Sequence, residues 1–350
     1  MNLPDQKSHE SLAVDANLTY TTDSLSGIHR IKHGNGFIFK DDNGNRVSDN
    51  ETIVRIKKLA IPPAWSSVWI CKNPKGHLQV TGIDEKGRKQ YRYHEEWIAI
   101  SQENKFNRML FFSDVLPTIR EKVAQDMRES ALTKRKVLAT LVWLLEHTYI
   151  RIGNEEYAKE YRHYGLTTLR TKHVLVEGNN IRFDFIGKSG RVNSVDIKSQ
   201  KVARTIQKLE ELPGYELFQY RENNEKHVVT SENVNEYLRE ITGASISAKD
   251  FRTWGGTVLS AITLNDLGVF TSTNQANKNI TKAVRQVSQQ LRNTPSVCRK
   301  HYIHPVIPHS YEQELLIPFF IDFRKAFIKK AGLLSMEEIA VVKLLKEFNQ

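Results

Sequence analysis

The sequence contains little cysteine, and this limits both its covalent chemistry and its expected compartment. Among 350 residues the only cysteines are Cys71 and Cys298. Two cysteines do not form a disulfide framework, so a reducing cytoplasm is the expected location. They also cannot supply a cysteine-based zinc site, and the twelve histidines are scattered without the tight spacing of metal ligands. The sequence therefore predicts a cytoplasmic protein without a metal site.

Several other signals are missing from the sequence. No apolar run is long enough to span a bilayer, and the first residues, Met1 to Lys7, do not have the pattern of a signal peptide. The chain contains neither a Walker A loop nor the Gly-x-Gly-x-x-Gly motif, so no nucleotide cofactor is expected. These absences argue against a membrane protein and against an enzyme that depends on a bound nucleotide.

Positive charge is present in excess. The chain has 51 lysines and arginines against 40 aspartates and glutamates, which gives a formal net charge of +11, and its pI is near 9.4. Such an excess predicts a polyanionic partner, and nucleic acid comes before a membrane surface. A hydrophobic content of 39% is enough for real cores. A length of 350 residues usually means two domains.

The local patterns divide the chain into three parts. Residues 1–20 are polar and aperiodic, which predicts a flexible tail. Residues 21–102 are β-rich, because short apolar runs alternate with turn signals, and residues 49–59 predict one short helix. Residues 103–350 are mainly helical. The predicted fold class is α+β, with a small twisted antiparallel sheet in the first domain and a small three-stranded sheet in the second, helical domain.

Periodicity places the main elements of the second domain. Apolar residues at helical spacing predict helices over residues 109–123, 134–149, 198–212, 231–242, 253–267 and 277–291, and over most of the last fifty residues, including the apolar and basic run Ile317–Lys330. Alternating patterns predict strands over residues 174–176, 181–185 and 192–197. A turn at residues 188–190 joins the last two strands into a hairpin.

The segment that ends at Tyr302 is the strongest candidate for chemistry. Thr294 can cap a helix that begins at Pro295, because proline is tolerated at a first helical position. Arg299 and Lys300 follow, and a phenol beside two cations is a possible nucleophile for a phosphodiester. Its ordinary pKa of about 10 means that neighbours must help it ionise or accept its proton. The alternative is a short amphipathic helix with a half-buried tyrosine.

Three further cationic residues lie in distinct local settings. Arg151 follows an apolar helix, where a guanidinium either caps carbonyls or binds a phosphate through two parallel bonds. Lys188 lies at a predicted hairpin tip, where a lysine is usually solvated but can also give a proton to a leaving oxygen. Arg252 lies just before a predicted helix, whose positive N-terminus suits an anion. The order Arg, Lys, Arg, Tyr is improbable by chance.

With these residues in this order, the sequence resembles the type IB DNA topoisomerases of the small, poxvirus-like and bacterial kind. The similarity extends over nearly the whole chain after the predicted tail. Five motifs carry it, in the order of the family: Lys86–Tyr93, Ile150–Gly153, Ile186–Lys188, Lys249–Gly255 and Thr294–Tyr302.

The resemblance implies a catalytic set and a reaction. Tyr302 would be the nucleophile that forms a 3′-phosphotyrosyl link with duplex DNA. Arg151 and Arg252 would stabilise the pentacovalent phosphate, and Lys188 would protonate the departing 5′ oxygen. Asn293 stands where the poxvirus pattern has a histidine, nine residues before the tyrosine. Its amide can donate to a nonbridging oxygen but adds no charge. Supercoiled DNA would be relaxed without ATP, metal or another cofactor.

The resemblance also implies a DNA contact in the first domain. Arg88 and Lys89 would bind phosphates, Gln90 and Tyr91 would reach base edges or stack in a groove, and Tyr93 closes the motif. The alternative is an ordinary basic turn that leads into a strand. The expected partner is double-stranded DNA in the nucleoid, and the expected form is a monomer that closes as a clamp around the duplex.

Two other functions remain open on the sequence. A tyrosine recombinase uses the same Arg-Lys-Arg-Tyr chemistry, but it usually carries a helical DNA-binding domain in front, whereas this chain begins with a β-rich one. A DNA-binding protein with an inactive site is the other alternative, and only Asn293 supports it. The favoured prediction is an enzyme, a type I DNA topoisomerase and therefore an isomerase.

Overall fold

The structure, a computed structural model, describes residues 8–223, 225–326 and 333–348. Contacts within the chain divide it into two compact units, and the division falls between Phe106 and Asn107. The predicted boundary after residue 102 lies close to this division. The predicted helical run Ile317–Lys330 lies partly outside the described residues.

The first unit is built on an antiparallel sheet, as predicted, and the sheet has five strands. Its elements are α1 (His9–Asp15), β1 (Gly27–His33), β2 (Gly36–Asp41), α2 (Asn50–Lys58), β3 (Ser66–Cys71), β4 (Leu78–Ile83) and β5 (Lys89–Tyr93). The strands lie in the order β2-β1-β3-β4-β5, with β5 at one edge. Ile56 of α2 packs against Ile28, Val68, Ile70 and Val80 to form the core of this unit.

Residues 8–20 differ from the predicted tail. The Ser8 side chain accepts a hydrogen bond from Ser11 N and so caps α1, whose Leu12 and Ala13 are buried. Leu18 N donates to Ala13 O at 2.7 Å and reverses the chain after the helix. This helix was not predicted because only Leu12 and Ala13 are buried in it, and two adjacent residues do not produce a periodic apolar pattern. Residues 1–7 lie outside the described part of the chain.

The second unit is mainly helical and includes a three-stranded sheet, which confirms the predicted fold class. The chain enters it through α3 (Glu95–Asp126), which is much longer than the predicted segment 109–123. The other elements are α4 (Lys134–Thr148), α5 (Glu155–Tyr161), β6 (Val174–Glu177), β7 (Asn180–Ile186), β8 (Val192–Lys198), α6 (Gln200–Glu210), β9 (Gln219–Glu222), β10 (Glu225–Val228), α7 (Ser231–Thr242), α8 (Ala248–Leu267), α9 (Thr273–Leu291), α10 (Pro295–His301), α11 (Val306–Glu312), α12 (Leu316–Ala326) and α13 (Met336–Phe348).

Two helices, α4 and α8, form the centre of the second unit. In α4 the buried residues lie on almost every side, from Val137 to Leu145, and in α8 they run from Phe251 to Leu264. A helix that is apolar all round packs in the interior, where other helices cover it. Packing in the interior therefore fixes the ends of these two helices, and it also fixes the residues that follow α4.

The small sheet has the order β6-β7-β8 and confirms the predicted hairpin. Ile181, Phe183 and Phe185 of β7 are buried and alternate with exposed residues, as expected for a sheet with one covered face. Ile186 pairs with Val192, so the hairpin turn holds residues 187–191. The hairpin of β9 and β10 and the short α5 were not predicted.

The start of α8 corrects the sequence prediction. The predicted helix began at residue 253, but α8 begins at Ala248, so Arg252 lies inside the helix and not before it. The cause is a capping box, in which the Asp250 carboxylate accepts hydrogen bonds from Ser247 N and Ser247 Oγ.

Among the described residues no helix is both long and apolar enough to cross a membrane.

Candidate active site

The segment around Tyr302 folds as the sequence predicts. Thr294 caps α10 by accepting a hydrogen bond from Val297 N at 3.3 Å, and Pro295 occupies the first helical position. Tyr302 ends the helix, and its backbone N donates to Cys298 O at 2.9 Å. The Tyr302 side chain is half-buried. Its phenol is therefore held by a short, well-capped helix instead of a free loop.

Helix α8 fixes the backbone of Tyr302 from the other side. A Cβ atom added to Gly256 would lie 2.6 Å from the Tyr302 carbonyl oxygen, so only glycine permits this approach. Thr257 Oγ1 donates to the same oxygen at 3.3 Å and accepts a bond from His304 N at 3.0 Å. The backbone on both sides of the tyrosine is thus attached to the central helix.

Arg151 is placed by the end of α4. The helix stops at Thr148, and Tyr149 takes a left-handed conformation with φ 53°, which turns the chain sharply. Arg151 O then accepts a hydrogen bond from Leu166 N at 2.8 Å. Its guanidinium Nη2 donates to Asn293 Oδ1. Residues 142 positions apart in the sequence thereby meet in one site.

Arg252 joins three parts of the site. It is only 4% exposed. Its Nη1 donates to Tyr149 O, and its Nη2 donates to Leu291 O at 2.7 Å. The guanidinium carbon lies 5.1 Å from the ring centroid of Tyr302. Its position inside α8 explains this burial, because the side chain leaves the helix toward the ends of α4 and α9.

Two hydrogen-bond donors in the site are buried without a partner among the described residues. They are Arg252 Nε and Asn293 Nδ2. Buried polar groups in folded proteins are nearly always paired, so each exception calls for a reason. Both donors belong to side chains beside Tyr302, and both would be satisfied by the oxygens of an anion. The site is therefore equipped to receive a negatively charged group.

The electrostatics of the site favour an ionised phenol. Burial raises the pKa of Tyr302, but the positive charges of Arg252 and Arg151 and the nearby amide of Asn293 lower it by more than burial raises it, so the net direction is downward. Burial and the neighbouring charge of Arg252 lower the pKa of Arg151 to about 10. Burial also lowers the pKa of Arg252. The cationic groups repel one another, and an anion between them would relieve that repulsion.

Lys188 lies at the edge of the same site. It occupies the turn between β7 and β8, where Ser189 and Gly190 both have positive φ angles of 64° and 73°. Its side chain is exposed, and it lines a small cleft together with Arg151 and Arg292. The structure therefore brings Arg151, Arg252, Asn293 and Tyr302 together, and Lys188 lines an adjoining cleft that it shares with Arg151.

Arg292 was not identified by sequence reasoning. It follows α9 directly, and its Nη1 donates to Thr148 O at 2.9 Å. Only the meeting of α4 with α9 reveals its proximity to Arg151, and no local pattern encodes that meeting. Its position immediately before Asn293 is the one signal that the sequence offered.

In the first unit, three of the predicted DNA-contact residues are held by carboxylates of the protein. Arg88 forms an ion pair with Asp84 at 2.7 Å, and Gln90 Nε2 donates to the same carboxylate at 2.9 Å. Lys89 Nζ lies 2.5 Å from Asp23 Oδ2. The motif is therefore an ordered turn that leads into β5, and its basic groups are partly neutralised.

Tyr91 and Tyr93 of that motif are exposed tyrosines at the edge of the sheet. They are 48% and 40% exposed, and their rings stack with centroids 6.2 Å apart. Lys89 lies on the same face of β5, with Nζ 5.7 Å from the Tyr91 centroid. Because side chains alternate along a strand, residues 89, 91 and 93 present one basic and aromatic face at the sheet edge.

Comparison with known proteins agrees with this arrangement. Residues 94–315 match the family model for the catalytic core of eukaryotic DNA topoisomerase I. The chain belongs to the type IB DNA topoisomerase family. Residues 36–84 match the N-terminal domain of bacterial DNA topoisomerase IB, so the family relationship includes both units.

The relatives of this topoisomerase IB chain include several viral proteins. DNA topoisomerase 1B of Acanthamoeba polyphaga mimivirus is 34% identical over 309 residues, which are 86% of this chain and 91% of that protein. DNA topoisomerase I of monkeypox virus is 25% identical over 281 residues, 78% of this chain and 86% of that protein. DNA topoisomerase 1 of rabbit fibroma virus is 24% identical over 265 residues, 73% and 80% of the two chains.

The family membership confirms the predicted enzyme class, a type I DNA topoisomerase and thus an isomerase. It does not favour the recombinase or the inactive DNA-binding protein. Among the described residues, no group of three histidines, cysteines or carboxylates is arranged to hold a metal ion. The guanidiniums of Arg151 and Arg252 supply positive charge beside Tyr302.

Proposed function

We propose that this topoisomerase cleaves one strand of duplex DNA with Tyr302 as the nucleophile. The phenolate oxygen attacks the phosphorus, a 3′-phosphotyrosyl bond forms, and the bond from phosphorus to the 5′ oxygen breaks. The observation that carries this proposal is the convergence of Arg151, Arg252 and Asn293 on one half-buried phenol whose pKa is lowered. A lowered pKa makes more phenolate available at neutral pH.

Arg151 and Arg252 stabilise the transition state in this proposal. The pentacovalent phosphate gains charge on its nonbridging oxygens, and preorganised donors aimed at those oxygens lower the barrier without reorganisation. Arg252 Nε and Asn293 Nδ2 are buried donors that await such an acceptor. Asn293 contributes a neutral hydrogen bond, and its Oδ1 fixes the guanidinium of Arg151.

Lys188 completes the proposed reaction by giving its proton to the departing 5′ oxygen. Its exposed position on a hairpin turn beside the cleft allows it to reach a bound strand. Religation runs the same steps backwards: the 5′ hydroxyl returns its proton, attacks the phosphotyrosine and releases Tyr302. One phosphodiester is exchanged for another, so the cycle needs no ATP.

The first unit is proposed to hold the duplex while the second unit cuts it. Lys89, Tyr91 and Tyr93 form a basic and aromatic face on β5, and such a face binds phosphates and stacks in a groove. We further propose that the protein acts as a monomer that closes as a clamp around DNA in the nucleoid. Strand rotation requires one cut at a time, which one monomer can provide.

Relaxation of supercoiled plasmid tests this function. The wild-type protein is expected to relax the plasmid in EDTA without ATP, and Tyr302→Phe is expected to bind DNA but leave it supercoiled. The variant Tyr91→Ala is expected to weaken DNA binding but to leave the salt dependence of binding nearly unchanged, because the substitution removes a stacking group and no charge. Equal relaxation by wild type and Tyr302→Phe would contradict the proposal, since it would assign the reaction to another nucleophile.

A further inference from the structure

Arg292 occupies a backbone position that favours glycine. It follows the last residue of α9 with φ 53° and ψ 50°, in the left-handed region. Glycine is the usual residue at such a helix end because it has no Cβ to strain, and Gly243 takes the equivalent place after α7 with φ 64°. A long cationic side chain at this position therefore has a cost in backbone strain that its contacts must offset.

The side chain of Arg292 is one of a set of crossed bonds between two helix ends. It donates from the end of α9 to Thr148 O at the end of α4. In the opposite direction, Arg151 donates from the residues after α4 to Asn293 after α9. Arg252 spans both ends through Tyr149 O and Leu291 O. The bonds from Arg252 and Arg292 satisfy backbone carbonyls at the two helix ends, which have no partner within their own helices.

The three guanidiniums also form a concentration of charge. Among the described residues, none of Arg151, Arg252 and Arg292 forms an ion pair with a carboxylate. Burial, followed by the charges of Arg252 and Arg151, lowers the pKa of Arg292 to about 10. A folded protein keeps mutually repelling cations together only where other interactions compensate, and a phosphate beside Arg151 would do so.

We propose that Arg292 is a positioning residue for DNA cleavage: its guanidinium fastens the end of α4 to the end of α9 and so aligns Arg151 with Asn293 and Tyr302. The inference rests on the proposed role of Tyr302 and adds a residue to it. Arg292 acts through the register of the two helix ends, and Arg151 is the group that faces the phosphate.

The test uses Arg292→Gly and Arg292→Lys in the full-length protein. Glycine suits the left-handed backbone, so Arg292→Gly is expected to unfold at or near the wild-type temperature while its single-turnover cleavage rate falls about 10- to 100-fold, the usual cost of a slight misplacement of reacting groups. Lysine keeps a donor for Thr148 O and is expected to restore part of the rate. DNA affinity, measured in the Tyr302→Phe background, is expected to stay within about twofold.

A double-mutant cycle separates positioning from general stabilisation. If Arg292 acts through Arg151, then adding Arg292→Gly to an Arg151→Ala protein should lower the cleavage rate by less than about twofold. The inference would be overturned if Arg292→Gly lowered the cleavage rate by the same factor in the Arg151→Ala protein as in the wild type. A wild-type cleavage rate in Arg292→Gly would overturn it as well. The proposed function fails separately, because its failure is visible when the wild-type protein forms no covalent adduct with plasmid DNA after quenching with SDS.

Discussion

Gly256 lies directly against the backbone of Tyr302. A Cβ on this glycine would be 2.6 Å from the Tyr302 carbonyl oxygen and 3.2 Å from the Tyr302 Cβ. The neighbouring Gly255 faces the ring of Tyr149 at similarly short range. Two consecutive glycines in the interior of a helix reduce its intrinsic stability. Here they allow α8 to approach both the nucleophile segment and the end of α4, so the close packing of the site depends on them.

The first prediction concerns this packing. Gly256→Ala is expected to displace the Tyr302 backbone, since a carbonyl cannot remain 2.6 Å from a methyl carbon. The cleavage rate should fall about 100-fold and the free energy of unfolding by about 1–3 kcal/mol. The matched control is Gly36→Ala, where the added methyl would meet no atom within 4 Å. Wild-type cleavage by Gly256→Ala would contradict the claim that this contact places Tyr302.

The second prediction concerns the ionisation of Tyr302. The charge of Arg252 lowers the pKa of this phenol, so the cleavage rate should rise with pH and level off below the ordinary tyrosine pKa of about 10. Arg252→Gln removes that charge and should move the whole profile to higher pH, besides slowing cleavage about 100-fold or more. Arg221→Gln, an exposed change on β9, is the control and should leave the profile unchanged. An identical profile in Arg252→Gln would show that another group titrates.

The third prediction concerns acid stability. His304 is 3% exposed, and its Nδ1 accepts a hydrogen bond from Val306 N, so it must be neutral in the folded protein. Burial lowers its pKa to about 4, against about 6.5 unfolded. The unfolded chain therefore binds the proton first, and stability present above pH 6.5 is lost as the pH falls toward 4, by at most about 3 kcal/mol.

Chemical denaturation between pH 4 and 7 measures this loss. His304→Gln should flatten the pH dependence, although it lowers the free energy of unfolding at pH 7. The control is His309→Gln, because His309 is exposed and its substitution should leave the slope unchanged. A slope in His304→Gln as steep as in the wild type would assign the acid sensitivity to other groups, of which buried His173, with a pKa lowered to about 4, is the first candidate.

The fourth prediction concerns the attachment of α13. The Glu338 carboxylate accepts two bonds from Arg120, at 2.7 and 2.8 Å, and one from Trp254 Nε1 at 3.0 Å. Glu338→Ala leaves both donors without this acceptor and should lower the free energy of unfolding by about 2–3 kcal/mol. Glu240→Ala breaks the exposed pair with Arg135 and should cost less than about 1 kcal/mol. Equal losses in the two variants would show that the Glu338 network adds nothing through its burial.

The local parts of the site could be predicted from the sequence, because short-range rules control them. Thr294 and Pro295 predict the start of α10, and the alternation of buried and exposed residues in β7 predicts the hairpin that holds Lys188. The start of α8 was missed although Ser247 and Asp250 have the spacing of a capping box, since the apolar pattern drew attention to the residues after Arg252. Arg252 was therefore expected near a helix N-terminus, whereas the structure buries it inside the helix.

The long-range parts could not be predicted in the same way. Nothing in a local pattern states that α4 and α9 end side by side, so neither the bond from Arg151 to Asn293 nor the role of Arg292 was visible. The position of Arg151 after an apolar helix made it a candidate, and the resemblance to a family supplied the roles of Arg151 and Asn293, but Arg292 belongs to none of the motifs that carried the resemblance. In the first unit, the family motif includes Lys89 but not Asp23, the carboxylate with which Lys89 forms an ion pair, because Asp23 is distant in the sequence.

The measurement that tests the central claim most directly is the identification of the residue that becomes linked to DNA. Plasmid DNA is mixed with excess protein, the reaction is stopped with SDS, and the adduct is digested with nuclease and protease for mass spectrometry. We expect a peptide that carries a nucleotide on Tyr302, and no adduct from Tyr302→Phe although this variant still binds DNA. A nucleotide on any other residue, or an adduct of normal yield from Tyr302→Phe, would contradict the account.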